Sequence, residues 1–182
     1  GSFLTHSEND EIGLFSLLQE FKKLIQIPIV AAGGIATGQS MLAAKILGAA
    51  AVQIGTGFLL TEESGASFAY KNELLNTSAH ETVLTECVSG KKARGKINTL
   101  IKKLSVNDDK KYSFPVQNAL TRSIRQHAEK NQDSQYMSLW CGQSIHSFKK
   151  IVSVKNFINE LMIDYSGTTP LKSKNGGLTN TI

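Results

Sequence analysis

The sequence predicts an α/β fold: the C-terminal part of a (β/α)8 TIM barrel followed by a small, mostly helical cap subdomain. Two short apolar runs, residues 29–32 and 50–54, have the uninterrupted pattern of parallel strands buried on both faces. Each runs straight into a glycine turn, Gly33 and Gly34 after the first and Gly55, Thr56 and Gly57 after the second. Between them Met41, Leu42, Ala44, Lys45 and Leu47 recur at helical spacing, with Thr37 placed as an N-cap and Gly48 as a stop.

The remaining elements follow in order. Ile12, Phe15, Leu18, Phe21, Leu24 and Ile25 predict an amphipathic helix over 12–26 that leads into the first strand. After Thr61, Glu62, Glu63 and Ser64, the stretch 68–75 reads as a helix on the outside of the barrel, and 82–88 as a single strand by its alternation. Residues 98–104, 116–128 and 145–162 are three further helix patterns, the second opened by Ser113 and Pro115. The expected organisation is therefore barrel units over 1–78, a cap over 79–165 and a flexible tail over 166–182, where the chain is polar and lacks periodicity.

The chemistry sits at the two turns. Glycines remove side chains where the chain leaves the sheet, so only backbone meets a ligand there, and Thr56 adds one hydroxyl. In barrels of this class a phosphate site is frequently built from the loops after the seventh and eighth strands and a helix start, so an anion is expected to find free N–H groups at these turns and at the helix after Thr37. A lone G-G pair is ordinary turn chemistry. Two such turns about twenty residues apart, each after an apolar strand, carry more weight.

Composition excludes several other classes. The net charge of +5 comes from lysines spread through the second half, among them Lys91, Lys92, Lys96, Lys102, Lys103, Lys110 and Lys111. Without interleaved aromatics or a nucleic-acid motif they read as a solvated face, so no nucleic-acid partner is expected, although a general attraction for anionic substrates remains. No apolar run reaches the roughly 18 residues of a membrane span, and Cys87 and Cys141 lack C-x-x-C spacing, which points to a reducing, cytoplasmic setting and no membrane partner. His6, His80, His127 and His146 stand apart without metal-ligand spacing, so no metal is expected. Ser89 and Ser144 lack a nucleophile-elbow context. Glu62 and Glu63 suit a helix start better than a pair of catalytic acids. Trp140 and Gln143 either line a substrate pocket or anchor the cap.

Residues 27–38, I-P-I-V-A-A-G-G-I-A-T-G, and 48–64, G-A-A-A-V-Q-I-G-T-G-F-L-L-T-E-E-S, resemble the flavin-binding segments of the nitronate monooxygenases, formerly 2-nitropropane dioxygenases. The likeness continues in 89–98, S-G-K-K-A-R-G-K-I-N, which is similar to the family's S-G-x-x-A-R-G-x-x-N segment. It extends to Y-S-F-P at 112–115 and to L-W-C-G-Q at 139–143, beside the family's L-W-A-G-Q. The first two segments are shared with other FMN barrels, whereas the later ones are more specific, and the resemblance runs to about Tyr165.

The resemblance implies an FMN cofactor whose phosphate lies against Gly33, Gly34, Gln53, Ile54, Gly55 and Thr56, and oxidation of nitronates or nitroalkanes with dioxygen to a carbonyl compound and nitrite. Family members carry the proton-abstracting histidine in an A-G-G-H-x-G segment, and Gly1, Ser2 and Phe3 look like the residues just after it. The expectation is thus that the base precedes Gly1, that this chain holds no catalytic residue, and that its partner is the N-terminal part of the same protein. A full barrel needs roughly 250 residues, against 182 here. Three rivals stay open: an FMN-dependent enoyl-acyl-carrier-protein reductase, an IMP-dehydrogenase-like barrel whose cysteine loop has no match here, and a non-catalytic phosphate- or flavin-binding assembly module.

Overall fold

The structure, a computed structural model, describes residues 3–5, 12–106 and 111–168. It is an α/β chain with two sheets. Strands β2 (Val30–Ala32) and β3 (Ala51–Gln53) pair in parallel, Val30 opposite Ala51 and Ala32 opposite Gln53, joined through helix α2 (Gly38–Ile46). Helix α1 (Leu14–Leu24) precedes them. Leu18, Ala31, Ile35, Ala44 and Ala49 form the core between this small sheet and its two helices.

Burial on both strand faces does not hold. Ala31 is 1% exposed, facing the helices, but its neighbour Val30 is 58% exposed, and Ala32, Ala51 and Gln53 are open as well. Two strands bury only the face that their own crossover helix covers, so the opposite face stands open among the described residues.

The second sheet is antiparallel, in the order β1 (Phe3–Thr5), β5 (Lys92–Lys96), β4 (Thr82–Thr85). Two expected boundaries move here. The start of the chain pairs with β5 rather than joining the parallel units, and the single strand expected over 82–88 becomes the first arm of a β4–β5 hairpin, Thr82 opposite Lys96. The second arm is the K-A-R-G-K stretch, whose charges mask the alternation by which a strand is read.

Helices follow: α3 (Thr56–Leu59), α4 (Phe68–Leu75), α5 (Thr99–Ser105), α6 (Val116–Leu120), α7 (Arg122–Lys130) and α8 (Val154–Gly167). Leu74 of α4 is fully buried with Leu60, Ala128, Met137, Leu139 and Ile145, so α4 packs into the helical half rather than against the parallel sheet. The helix expected over 116–128 divides at Thr121, whose hydroxyl is shared among Val88 O at 2.7 Å and the carbonyls of its own preceding turn.

The stretch 145–162 is not one helix. A short 3-10 helix (Gln143–Ser147) gives way to extended chain, Val152 bridges Thr61, and α8 begins afresh at Ser153, whose hydroxyl accepts from Asn156 N–H. Glu63 lies at this start, its two carboxylate oxygens accepting from Val154 N–H at 3.0 and 2.9 Å; the helix-start role expected of the pair thus falls to Glu63 alone, and at a helix distant in sequence. Helix α8 then returns to α2 and extends through Gly167, past the expected start of the tail; residues 169–182 lie outside the described residues.

The α2–α8 contact depends on Gly38. A Cβ there would come within 2.0 Å of Tyr165 N and 2.5 Å of Leu161 O, backbone atoms that cannot swing aside. Elsewhere, Glu73 of α4 pairs with Lys96 of β5 and accepts from Ser134 Oγ at 3.0 Å, tying the antiparallel sheet to the helical half. Lys96 thus departs from the solvated lysine face expected of it. Its hydrogen bond to Glu73 is the chief reason that carboxyl lies below its usual range, burial opposing.

Two outcomes follow from these contacts. Gly38→Ala should destabilise the fold by about 1–3 kcal/mol or more by forcing α8 off α2, read as a Tm lower by roughly 2–4 °C per kcal/mol; an unchanged Tm would contradict the close packing. A depressed folded pKa stabilises above the ordinary 4.5 and is lost as pH falls through the folded value. Glu73→Gln should therefore lower stability at pH 7 and flatten the loss of stability on acidification below pH 4.5, both visible in urea melts across pH; parallel wild-type and mutant pH curves would refute the pairing.

Candidate functional site

The parallel register brings the two glycine turns together. Ala32 and Gln53 are paired, so Gly33 and Gly34 leave one strand beside Ile54 and Gly55 leaving the other, at the carboxyl edge of the sheet. Gly33 has φ +106° and Gly34 φ +71°, the left-handed region that L side chains rarely adopt, and this turns the chain sharply away from the strand direction. A Cβ on Gly34 or Gly55 would meet nothing within 4 Å, so the missing side chains leave open space above the sheet edge. The Gly33 N–H closes the ladder toward Gln53, whereas among the described residues no acceptor is seen for the N–H groups of Gly34 or Thr56. Exposed donors of that kind, around space free of side chains, suit a phosphate group. All six residues expected at the site, Gly33, Gly34, Gln53, Ile54, Gly55 and Thr56, lie at this edge.

The start of α2 is different. Its N–H groups were expected to take part, but those of Ala36, Thr37, Gln39 and Ser40 are already engaged. Ala36 and Thr37 N–H both donate to Ser40 Oγ at 3.0 Å, and Ser40 N–H donates to Thr37 Oγ1 at 3.1 Å. Gln39 N–H donates to Asp164 Oδ2 at 3.1 Å. The carboxylate of α8 occupies the place an anion would take, because the same contact docks α8 on α2. Thr37 is the N-cap the sequence indicates, within a capping box closed by Ser40.

The second turn has a neighbour that sequence spacing does not reveal. Gly142 N–H donates to Thr56 Oγ1 at 2.9 Å across 86 positions of sequence. The segment around it is fixed on three sides: Lys96 N–H donates to Leu139 O at 2.9 Å, Tyr70 Oη to Trp140 O at 2.9 Å, and Cys141 N–H to Arg94 O at 3.1 Å. Trp140 packs against Gly95, where a Cβ would stand 3.0 Å from the indole, and beside the core of Cys87, Val88, Leu100 and Ile101. Trp140 is half-buried in this packing, while Gln143 is exposed. Burial pushes the Cys141 thiol up to about 11 and raises the Tyr70 hydroxyl as well, so both stay protonated and uncharged at neutral pH.

Two more motif segments form the frame behind this wall. Asn98 caps α5, its Oδ1 accepting from Ile101 N–H at 3.1 Å, while its amide donates to Ser134 O and Met137 O at 2.9 and 2.8 Å. Buried Lys71 donates to Thr61 O and Ser64 O at 2.7 and 3.0 Å, holding the turn that follows α3. Among the described residues no group of three or more His, Cys, Asp or Glu is placed to hold a metal, and no helix is long and apolar enough to cross a membrane.

Comparison with known proteins agrees with this frame. The family model for nitronate monooxygenase matches residues 1–164. A protein of Staphylococcus saprophyticus named "Probable nitronate monooxygenase" is 40% identical over 157 residues, covering 83% of this chain and 44% of its own length. A nitroalkane oxidase from Streptomyces ansochromogenes superposes with a TM-score of 0.81 at 32% identity, over 90% of this chain and 47% of that one. FabK from Thermotoga maritima does so at 0.73 and 31%, over 87% and 50%. The chain spans less than half the length of the curated relatives it matches. On the family-model match across residues 1–164, with a relative 40% identical over 157 residues, the chain belongs to the nitronate monooxygenase family.

Proposed function

We propose that this chain forms the FMN-phosphate clamp and part of the lid of a nitronate monooxygenase, which oxidises nitronates or nitroalkanes with dioxygen to a carbonyl compound and nitrite. The observation that carries the reading is the parallel register that sets Gly33 and Gly34 beside Ile54, Gly55 and Thr56, with the N–H groups of Gly34 and Thr56 without an acceptor among the described residues and open space at Gly34 and Gly55. The flavin of FMN supplies the electron transfer and the reaction with dioxygen when bound. The chain's own contribution is binding and orientation. Gly33, Gly34, Gln53, Ile54, Gly55 and Thr56 hold the phosphate end, and Cys141 of the 139–142 segment and Tyr70, bonded to Trp140 O, stay neutral.

The α-proton is removed by a histidine outside this chain, in the N-terminal part of the same protein, which is this chain's partner. The open face of the parallel sheet, with Val30, Ala32 and Ala51 exposed, supports that reading, since further strands closing a barrel would cover it. The limited coverage of the relatives supports it too. A cytoplasmic setting accords with two free, buried cysteines.

Gly55→Asp tests the clamp with little risk to folding, because its Cβ meets nothing within 4 Å. In the complete protein it should abolish FMN retention, as a carboxylate repels the phosphate and fills its place; normal flavin content after purification would refute the site. The complete protein should also release nitrite from a nitronate and dioxygen without consuming NAD(P)H. NAD(P)H oxidation driven by an enoyl thioester would favour the enoyl-acyl-carrier-protein reductase instead, and a purified protein free of flavin the non-catalytic module.

A further inference from the structure

Thr56 accepts one hydrogen bond, from Gly142 N–H at 2.9 Å, and its hydroxyl hydrogen has no acceptor among the described residues. A hydroxyl offers one donor and two acceptor sites. With one acceptor site taken by the Gly142 amide, the hydroxyl hydrogen is steered away from that amide, and a hydroxyl that already accepts is a stronger donor. Gly142 cannot drift, since Leu139, Trp140 and Cys141 are bonded to β5 and to Tyr70 of α4. We propose that Gly142 is a positioning residue: its amide orients the Thr56 hydroxyl to donate to the FMN phosphate, coupling the helical half to the cofactor clamp through one hydrogen bond. This inference rests on the phosphate reading of the turns given above.

The backbone at Gly142 makes the idea testable. It has φ −82° and ψ 166°, which both alanine and proline adopt, and a Cβ there meets only Thr56 Oγ1, at an ordinary 3.6 Å. Gly142→Ala therefore keeps the donor, whereas Gly142→Pro removes it and sets a ring carbon against Thr56 Oγ1, so the Thr56 side chain must turn away. Riboflavin, identical to FMN but for the phosphate, separates an effect on the phosphate from a general loss of structure.

In the complete protein, the ratio of FMN to riboflavin affinity should fall about ten- to a hundredfold in Thr56→Val, the range for a hydrogen bond to a charged group. Thr56→Ser and Gly142→Ala should leave the ratio unchanged. Gly142→Pro should lower it as Thr56→Val does, and the double variant Thr56→Val, Gly142→Pro should lower it no further. Should the proline variant not fold, amide hydrogen exchange in flavin-free protein takes its place: the Gly142 amide should be protected in wild type and in Thr56→Ser and exchange rapidly in Thr56→Val, with Cys141 unaffected. A ratio indifferent to Thr56→Val, losses that multiply in the double variant, or a Gly142 amide still protected in Thr56→Val would overturn the assignment of Gly142 while leaving FMN binding intact. Failure of the complete protein to bind either flavin would instead overturn the clamp reading beneath it.

Discussion

Three residue pairs fix the candidate site. Val30, Ala31 and Ala32 lie in parallel register with Ala51, Val52 and Gln53, so the chain leaves both strands at the same edge and in the same direction. A slip of one residue would reverse which side chains face the helices and would separate the two glycine turns along the strand axis. Ala31 against α1 and α2 is what resists that slip: its methyl is buried with Leu18 and Ala44, and the alternative places Val30 or Ala32 there. Helix α8 clamps the same arrangement from outside, through Gly38 and through the Asp164 carboxylate at the start of α2.

The second body of the chain is organised around the glycine turn rather than beside it. The hairpin β4–β5, the Asn98 cap and the buried cluster of Leu74, Met137, Leu139 and Ile145 converge on one strip of backbone, residues 139–142, and its last amide reaches Thr56. Cys141 lies on that strip and Tyr70 donates to its Trp140 carbonyl, and burial keeps both uncharged. The buried Lys71, holding the carbonyls of Thr61 and Ser64, fixes the far end of the α3 turn.

The α/β class, the parallel strands, the helix between them and the Thr37 cap were legible in the sequence, because apolar runs, helical periodicity and capping residues are local signals. So were the six turn residues at the sheet edge, since glycines after two strands in succession leave few other arrangements. What was not legible is non-local. The K-A-R-G-K stretch forms a central strand despite its charges, because β1 and β4 satisfy its backbone from both sides. The anion position at the start of α2 goes to Asp164, a partner 125 positions away, and the division of 145–162 follows from the Glu63 contact with Val154 rather than from any break in apolar spacing. The Gly142 contact with Thr56 involves a backbone amide, which no residue type advertises.

The most direct measurement of the account is a crystal structure of the complete protein with FMN bound. The account predicts the phosphate oxygens within hydrogen-bonding distance, roughly 2.7–3.2 Å, of the backbone N–H groups of Gly34 and Thr56 and of the Thr56 hydroxyl, with Asp164 still on Gln39. A phosphate seated at the start of α2 in place of Asp164, or away from the edge formed by Ala32 and Gln53, would contradict it.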